Sequence, residues 1–161
     1  MVNVKQAFRP AFFTAIAFAA IAAIGVSAQD TPTDKGEQIQ NAACLGCHDL
    51  RPIQTAAYDR ENWSLVVESM IQKGAEVKDA DKPVLVDYLV KSHGPLPTGR
   101  GQSILLNTCT ICHDLGRVRA HTVSSEEWEE TLNAMLNEGA MLSDQEFPVL
   151  LNYLAKNFGA K

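Results

Sequence analysis

Two stretches decide the reading of this chain: Cys44-Leu45-Gly46-Cys47-His48-Asp49-Leu50 and Cys109-Thr110-Ile111-Cys112-His113-Asp114-Leu115. They contain all 4 cysteines of the 161 residues. Each begins with CxxCH, the attachment signature of c-type haem. Two thiols three residues apart can add to the two vinyl groups on one edge of a haem, and the adjacent histidine then directs a ring nitrogen to the iron. A thioredoxin-like redox pair would need a βαβ context, and the chain carries no strand signal. Two CxxC pairs can close a tetrahedral zinc site, but that leaves both histidines unexplained. Disulfides suit an exported protein, yet a two-residue loop stabilises little and again ignores His48 and His113. The expectation is two covalent haem c groups, held by Cys44, Cys47, Cys109 and Cys112, with His48 and His113 as iron ligands.

Outward from these motifs the sequence repeats. A shift of 65 residues superimposes the chain on itself without a gap. Gly36 meets Gly101, Trp63 meets Trp128, Met70 meets Met135, and Gly74-Ala75 meets Gly139-Ala140. Pro83, Leu85, Tyr88, Leu89, Lys91 and Gly94 meet Pro148, Leu150, Tyr153, Leu154, Lys156 and Gly159. One register through Trp, Met, Pro and Tyr around both CxxCH motifs predicts a tandem duplication of one unit. The units are expected at 29–98 and 99–161, and the seam at Gly94-Pro95-Leu96-Pro97-Thr98-Gly99, which is rich in structure-punctuating residues.

Each unit reads as three short helices, so the fold class is all-α. The first helix runs over 34–43 and 99–108, into the first cysteine. The second covers 61–73, with Trp63, Val66, Val67, Met70 and Ile71 on one face at helical spacing. Ser124 with Glu127, and Ser143 with Glu146, have the capping-box pattern. Gly74 and Gly139 follow the last periodic residue, where a left-handed cap favours glycine. The third helix covers 80–92 and 144–158, with Pro83 and Pro148 in its first turn. Residues 49–60 and 114–123 read as irregular. A unit this small needs a staple to offset its conformational entropy, and a covalent haem would provide one.

The N-terminus predicts export. Lys5 and Arg9 precede an apolar run from Ala11 to Val26, and Val26-Ser27-Ala28 offers a small-residue cleavage site, the order of a secretory signal at 1–28. The run is shorter than the roughly 20 residues that span a bilayer. Cleavage takes away Lys5 and Arg9 and no acidic residue, leaving 12 basic against 19 acidic side chains, net −7. That sign argues against nucleic-acid binding and favours partners with basic surfaces. A periplasmic protein with no membrane span after signal removal is expected.

The sixth iron position has two readings. Met70 and Met135 occupy equivalent places in the repeat, and a thioether there would give His/Met ligation, which raises the reduction potential. Both methionines also complete the apolar face of the second helix, where Met is a common core filler. The repeat favours the ligand reading, because apart from the tryptophan the other positions on that face differ between copies. Met141 is an alternative at the second site only, since its counterpart is Glu76. His93 (counterpart Phe158) and His121 (counterpart Ala56) are lone histidines, either of which would make one site bis-His. Trp63 and Trp128 are expected to pack in the core or on the haem, and Tyr88 and Tyr153 to cross the first helix.

CxxCH followed by Trp63, Met70, Gly74-Ala75 and Tyr88-Leu89, with a second copy to match, resembles class I cytochromes c in shortened form. More narrowly it is similar to the di-haem domain of the quinohaemoprotein amine dehydrogenase α subunit, and to small cytochrome subunits of periplasmic sulfite and alcohol dehydrogenases. The resemblance covers residues 35–159, without the further domains of the amine dehydrogenase subunit. It implies single-electron transfer between a periplasmic dehydrogenase and a downstream acceptor, with no catalytic residues of its own. A small di-haem peroxidase or a haem-based ligand sensor is the alternative, and each would need an open iron position.

Overall fold

The computed structural model describes residues 32–160, with side chains from Lys35 onward, so the signal expected at 1–28 lies outside the described residues. In chain order the helices are α1 (Pro32–Cys44), α2 (Arg51–Gln54), α3 (Arg60–Gln72), α4 (Lys82–His93), α5 (Arg100–Thr108), α6 (Gly116–Ala120), α7 (Ser125–Asn137) and α8 (Glu146–Phe158). A turn of 3₁₀ helix over Cys109–Ile111 continues α5 into the second CxxCH. Among the described residues no strand forms, and one isolated parallel bridge joins Val123 to Gly159. None of these helices is long and apolar enough to cross a membrane. The chain is all-α.

Local chemistry sets the helix ends. Asp59 caps α3 by accepting from the Asn62 N–H, and Ser124 and Glu127 form the full reciprocal box at α7. Ser143 and Glu146 exchange the same pair of bonds, at 3.0 and 3.3 Å, although α8 proper starts only at Glu146. At the other end of α3, Gly74 has φ +104° and Gly139 after α7 has φ +99°. Ala75 N–H donates to Met70 O and Gly74 N–H to Ile71 O, both at 2.9 Å. Ala140 to Met135 and Gly139 to Leu136 follow suit at 2.9 and 3.0 Å. This is the Schellman closure, and it explains the Gly-Ala pair in both copies by backbone geometry. Met70 and Met135 therefore sit at the same place in the last turn of their helices.

The stretches expected to be irregular contain α2 and α6. In each, an aspartate starts the helix: Asp49 Oδ1 accepts from Arg51 N–H at 3.0 Å, and Asp114 Oδ1 from Gly116 N–H at 2.7 Å. Such side-chain turns substitute for a backbone turn. The helices they open are only 4 and 5 residues long, too short for an apolar period to register in the sequence.

The long helices pack as crossed pairs, α1 on α4 with α3 also on α4, and α5 on α8 with α7 also on α8. Glycine makes the first crossing of each set possible. A Cβ on Gly36 would stand 2.2 Å from Tyr88 Cβ, and one on Gly101 would stand 2.3 Å from Tyr153 Cβ. The tyrosines do cross the first helix of each half, over a glycine.

Two apolar clusters result. One gathers Ile53, Ala56, Trp63, Val67, Leu85, Val86 and Leu89. The other gathers Leu96, Leu105, Leu115, Val118, Trp128, Leu132, Leu150, Tyr153 and Leu154. Trp63 and Trp128 are each almost fully buried. The connector is tied to the second cluster: Leu96 is buried in it, Tyr153 Oη donates to Pro97 O at 2.7 Å, and an Arg119 N–H donates to Gly94 O at 2.5 Å. Ion pairs such as Lys35–Asp81 at 2.8 Å lie at the surface, where each contributes little.

Candidate haem sites

α1 delivers Cys44 at its C-terminal end, and the chain then turns through Leu45-Gly46-Cys47 to His48. Cys44 is half-buried against the first cluster, whereas Cys47 and His48 face solvent. Beside them opens a cavity of about 330 Å³. Its wall includes Cys44, Cys47 and His48 from the attachment turn, Trp63, Val67 and Met70 from α3, and Leu85 and Leu89 from α4. Cavities that bind cofactors fall in the range of about 300–1,000 Å³ and combine apolar lining with a few placed polar groups. The structure thus brings together Cys44, Cys47, His48 and Met70, which are far apart in the sequence.

The second attachment turn follows α5 in the same way. Cys109 is half-buried and packs on the second cluster, Cys112 is exposed, and His113 is half-buried. Cys112 and His113 border a depression of about 300 Å³ that they share with Asp49, Leu50, Arg51, Gln54 and Asp114. Met135 is half-buried near the end of α7 and does not line that depression. Met141 is 77% exposed.

All 4 cysteines are free thiols. Among the described residues no three His, Cys, Asp or Glu side chains converge into a metal site, so the two CxxC pairs do not meet as one four-thiolate centre. Burial pushes the Cys44 and Cys109 thiols above their ordinary pKa, the opposite of an activated redox thiolate.

The histidine rings carry the most informative geometry. His48 Nδ1 lies 2.6 Å from Asp49 O, and His113 Nδ1 lies 2.9 Å from Asp114 O. A carbonyl only accepts, so in each ring Nδ1 must be the protonated nitrogen. In the neutral ring that tautomer puts the lone pair on Nε2. A backbone carbonyl that fixes tautomer and ring orientation is the usual outer-shell partner of a metal-ligating histidine. At the first turn the donor set, the free thiols and the apolar wall therefore fit a covalently attached haem, which Cys44 and Cys47 would hold and whose iron His48 would bind through Nε2. The second turn offers the same donor set, Cys109, Cys112 and His113, beside a more polar depression.

The other histidines sit elsewhere. His93 is half-buried, with its ring 6.3 Å from Tyr88 and 6.4 Å from Trp63 in edge-on contacts, and it does not line the cavity. Its counterpart Phe158 stands 6.2 Å from Tyr153 in the same arrangement. Burial first, then the Arg119 charge, hold the His93 pKa below its ordinary value, against a smaller upward pull from Asp114. His121 is exposed with its ring 5.0 Å from Trp128.

Sequence reasoning missed Arg51, whose guanidinium Nη2 donates to Ile111 O inside the second attachment turn. It missed Gln40 too, which is 3% exposed with Oε1 unpartnered. No pattern flagged either, because each differs from its counterpart (Gly116 and Leu105). Asp49 and Asp114 were visible only as matching letters; their use is to start α2 and α6 and to offer carbonyls to the histidines.

Comparison with known protein families, curated proteins and solved structures finds no match to this chain.

Proposed function

We propose that this chain is a di-haem c-type cytochrome, built as a tandem duplication of one unit of three long helices and one short one, that carries single electrons in the periplasm. The observation that bears the most weight is the pair of CxxCH turns in which each histidine's Nδ1–H is held by the next residue's carbonyl. That leaves both imidazoles with Nε2 open to a metal. Bound haem supplies one-electron iron chemistry, taking one electron from a donor and giving one to an acceptor.

The chain's own residues do the rest. Cys44, Cys47, Cys109 and Cys112 anchor the groups by thioether bonds. Trp63, Val67, Leu85 and Leu89 exclude water on the first site's inner wall. Met70 lines the cavity beside His48 and would be the sixth ligand of the first haem. Met135 holds the matching turn of α7 and would take that role at the second site by the repeat alone, since it does not line the depression beside His113. His93 repeats the ring packing of Phe158, which argues for a structural role there. The acidic balance of the chain suits a basic partner surface such as an acceptor, with a periplasmic dehydrogenase as donor. The resemblance to shortened class I cytochromes c, and to the cytochrome subunits of such dehydrogenases, belongs to the same proposal.

The oxidised protein should show the weak far-red sulfur-to-iron charge-transfer band of His/Met haem. Met70→Ala and Met135→Ala should each remove one haem's share of it. High-spin bands with rapid CO binding in the wild type would contradict the carrier reading and favour a peroxidase or ligand sensor. An unchanged spectrum in either variant would make that methionine a core residue.

A further inference from the structure

The two attachment turns are not independent. The segment after His48 packs directly on the segment after Cys112, and the contacts run residue to residue. His48 Nδ1–H donates to Asp49 O, and Asp49 Oδ1 accepts from Arg51 N–H at 3.0 Å. Arg51 Nη2 donates to Ile111 O, one residue before Cys112 and two before His113. Leu115 N–H, two residues past His113, donates to Gln54 O at 3.2 Å, so the second turn is gripped on both sides of its histidine. Thr55 Oγ1 holds the Arg51 carbonyl at 2.8 Å. Arg51 has no equivalent in the second half, where Gly116 takes its place. The side-chain part of the link therefore comes from the first segment alone, while the Leu115 N–H to Gln54 O bond joins the two backbones from the other side.

We propose that Arg51 is a positioning residue that ties the first CxxCH segment to the second and raises the reduction potential of the haem held there. This rests on the haem reading above. The Arg51 guanidinium is cationic, is held on the second turn by its bond to Ile111 O, and borders His113 together with the Asp49 and Asp114 carboxylates. A cation there stabilises the extra electron on a reduced site more than it affects the oxidised one, so it raises the reduction potential of each haem it reaches. The same Nη2 bond, with the Leu115 N–H to Gln54 O bond, ties the backbone that follows one turn to the other turn.

The test is a redox titration of the holoprotein at low ionic strength, comparing wild type, Arg51→Gln and Arg51→Lys, with haems per chain counted in each. Two haems per chain are expected throughout. Arg51→Gln should move the one-electron equilibrium of at least one haem toward the oxidised form by about three- to tenfold, or about 30–60 mV at 59 mV per decade. Arg51→Lys should recover at least half of that shift, and the shift should shrink in salt near 1 M, where the screening length falls to about 3 Å. Potentials within about twofold of wild type in Arg51→Gln would overturn the assignment. So would Arg51→Lys behaving like Arg51→Gln, because the loss would then be one of packing and not of charge. A wild-type chain without haem would overturn the haem reading itself, and this inference with it, which the count separates from a failure of Arg51 alone.

Discussion

At position 40 the first half carries a buried glutamine with an unpartnered Oε1, and at the matching position 105 the second half carries a fully buried leucine. The indoles differ in the opposite sense. Trp63 Nε1 donates to His93 O at 3.1 Å, while Trp128 Nε1 is buried without a partner. Around the first attachment turn the α3 and α4 walls stand back to leave a cavity of about 330 Å³. The matching helices of the second half contribute to a larger cluster that also takes in Leu96 from the connector and Ala57 from the first half. The same residues set both frames, namely the crossing glycine and tyrosine, the buried tryptophan and the Gly-Ala closure. What differs is how each frame is filled. The shared residues thus fix helix crossing and helix ends, while the unshared ones individualise each site.

Substitutions at matched positions test that division. The crossing glycines should give the largest effect. Gly36→Ala and Gly101→Ala each force a methyl to 2.2–2.3 Å from a tyrosine Cβ, and overpacking of this kind costs about 1–3 kcal/mol. Chemical denaturation should show similar losses at the two positions. A loss at only one would mean that the halves cross differently.

A smaller effect of opposite sign is expected at the unshared position. Gln40→Leu copies Leu105 and removes a buried oxygen without a partner, so thermal unfolding should show a gain of about 1 kcal/mol. A loss would mean that Gln40 Oε1 has a partner in the holoprotein.

The smallest effect concerns pH. The His93 pKa is depressed in the folded chain by burial and by Arg119, so folding releases protons from this ring. Its stability contribution is fully present above the unfolded value, about 6.5, and is lost as pH falls below it. Replacing His93 with Phe, the residue at 158, should flatten the melting-temperature profile between about pH 7.5 and 5. An equally steep profile in that variant would assign the dependence to other groups.

Much of this architecture was legible in the sequence because its causes are local. Ser124 with Glu127 gives a capping box, Gly74 a left-handed closure and Trp63 with Val67 a buried face, each within one or two turns of helix. α2 and α6 were illegible because an aspartate turn opens them and they end before a period can repeat. The cysteines and the two adjacent histidines could be read as a site from spacing alone. That Met70 shares a cavity with His48 depends on how α3 lies against α1 and α4, which no spacing encodes. Arg51 and Gln40 escaped notice for another reason: the repeat draws attention to what both halves share, and these two residues matter through what only one half has.

The central claim is that each CxxCH turn carries one covalently bound haem. The most direct measurement is the intact mass of the exported, mature chain under denaturing conditions, read alongside its reduced pyridine haemochrome spectrum. A mass exceeding the polypeptide by two haem groups, with a thioether-type spectrum and no titratable thiol, is the expected result. The bare polypeptide mass with four reactive thiols would contradict it.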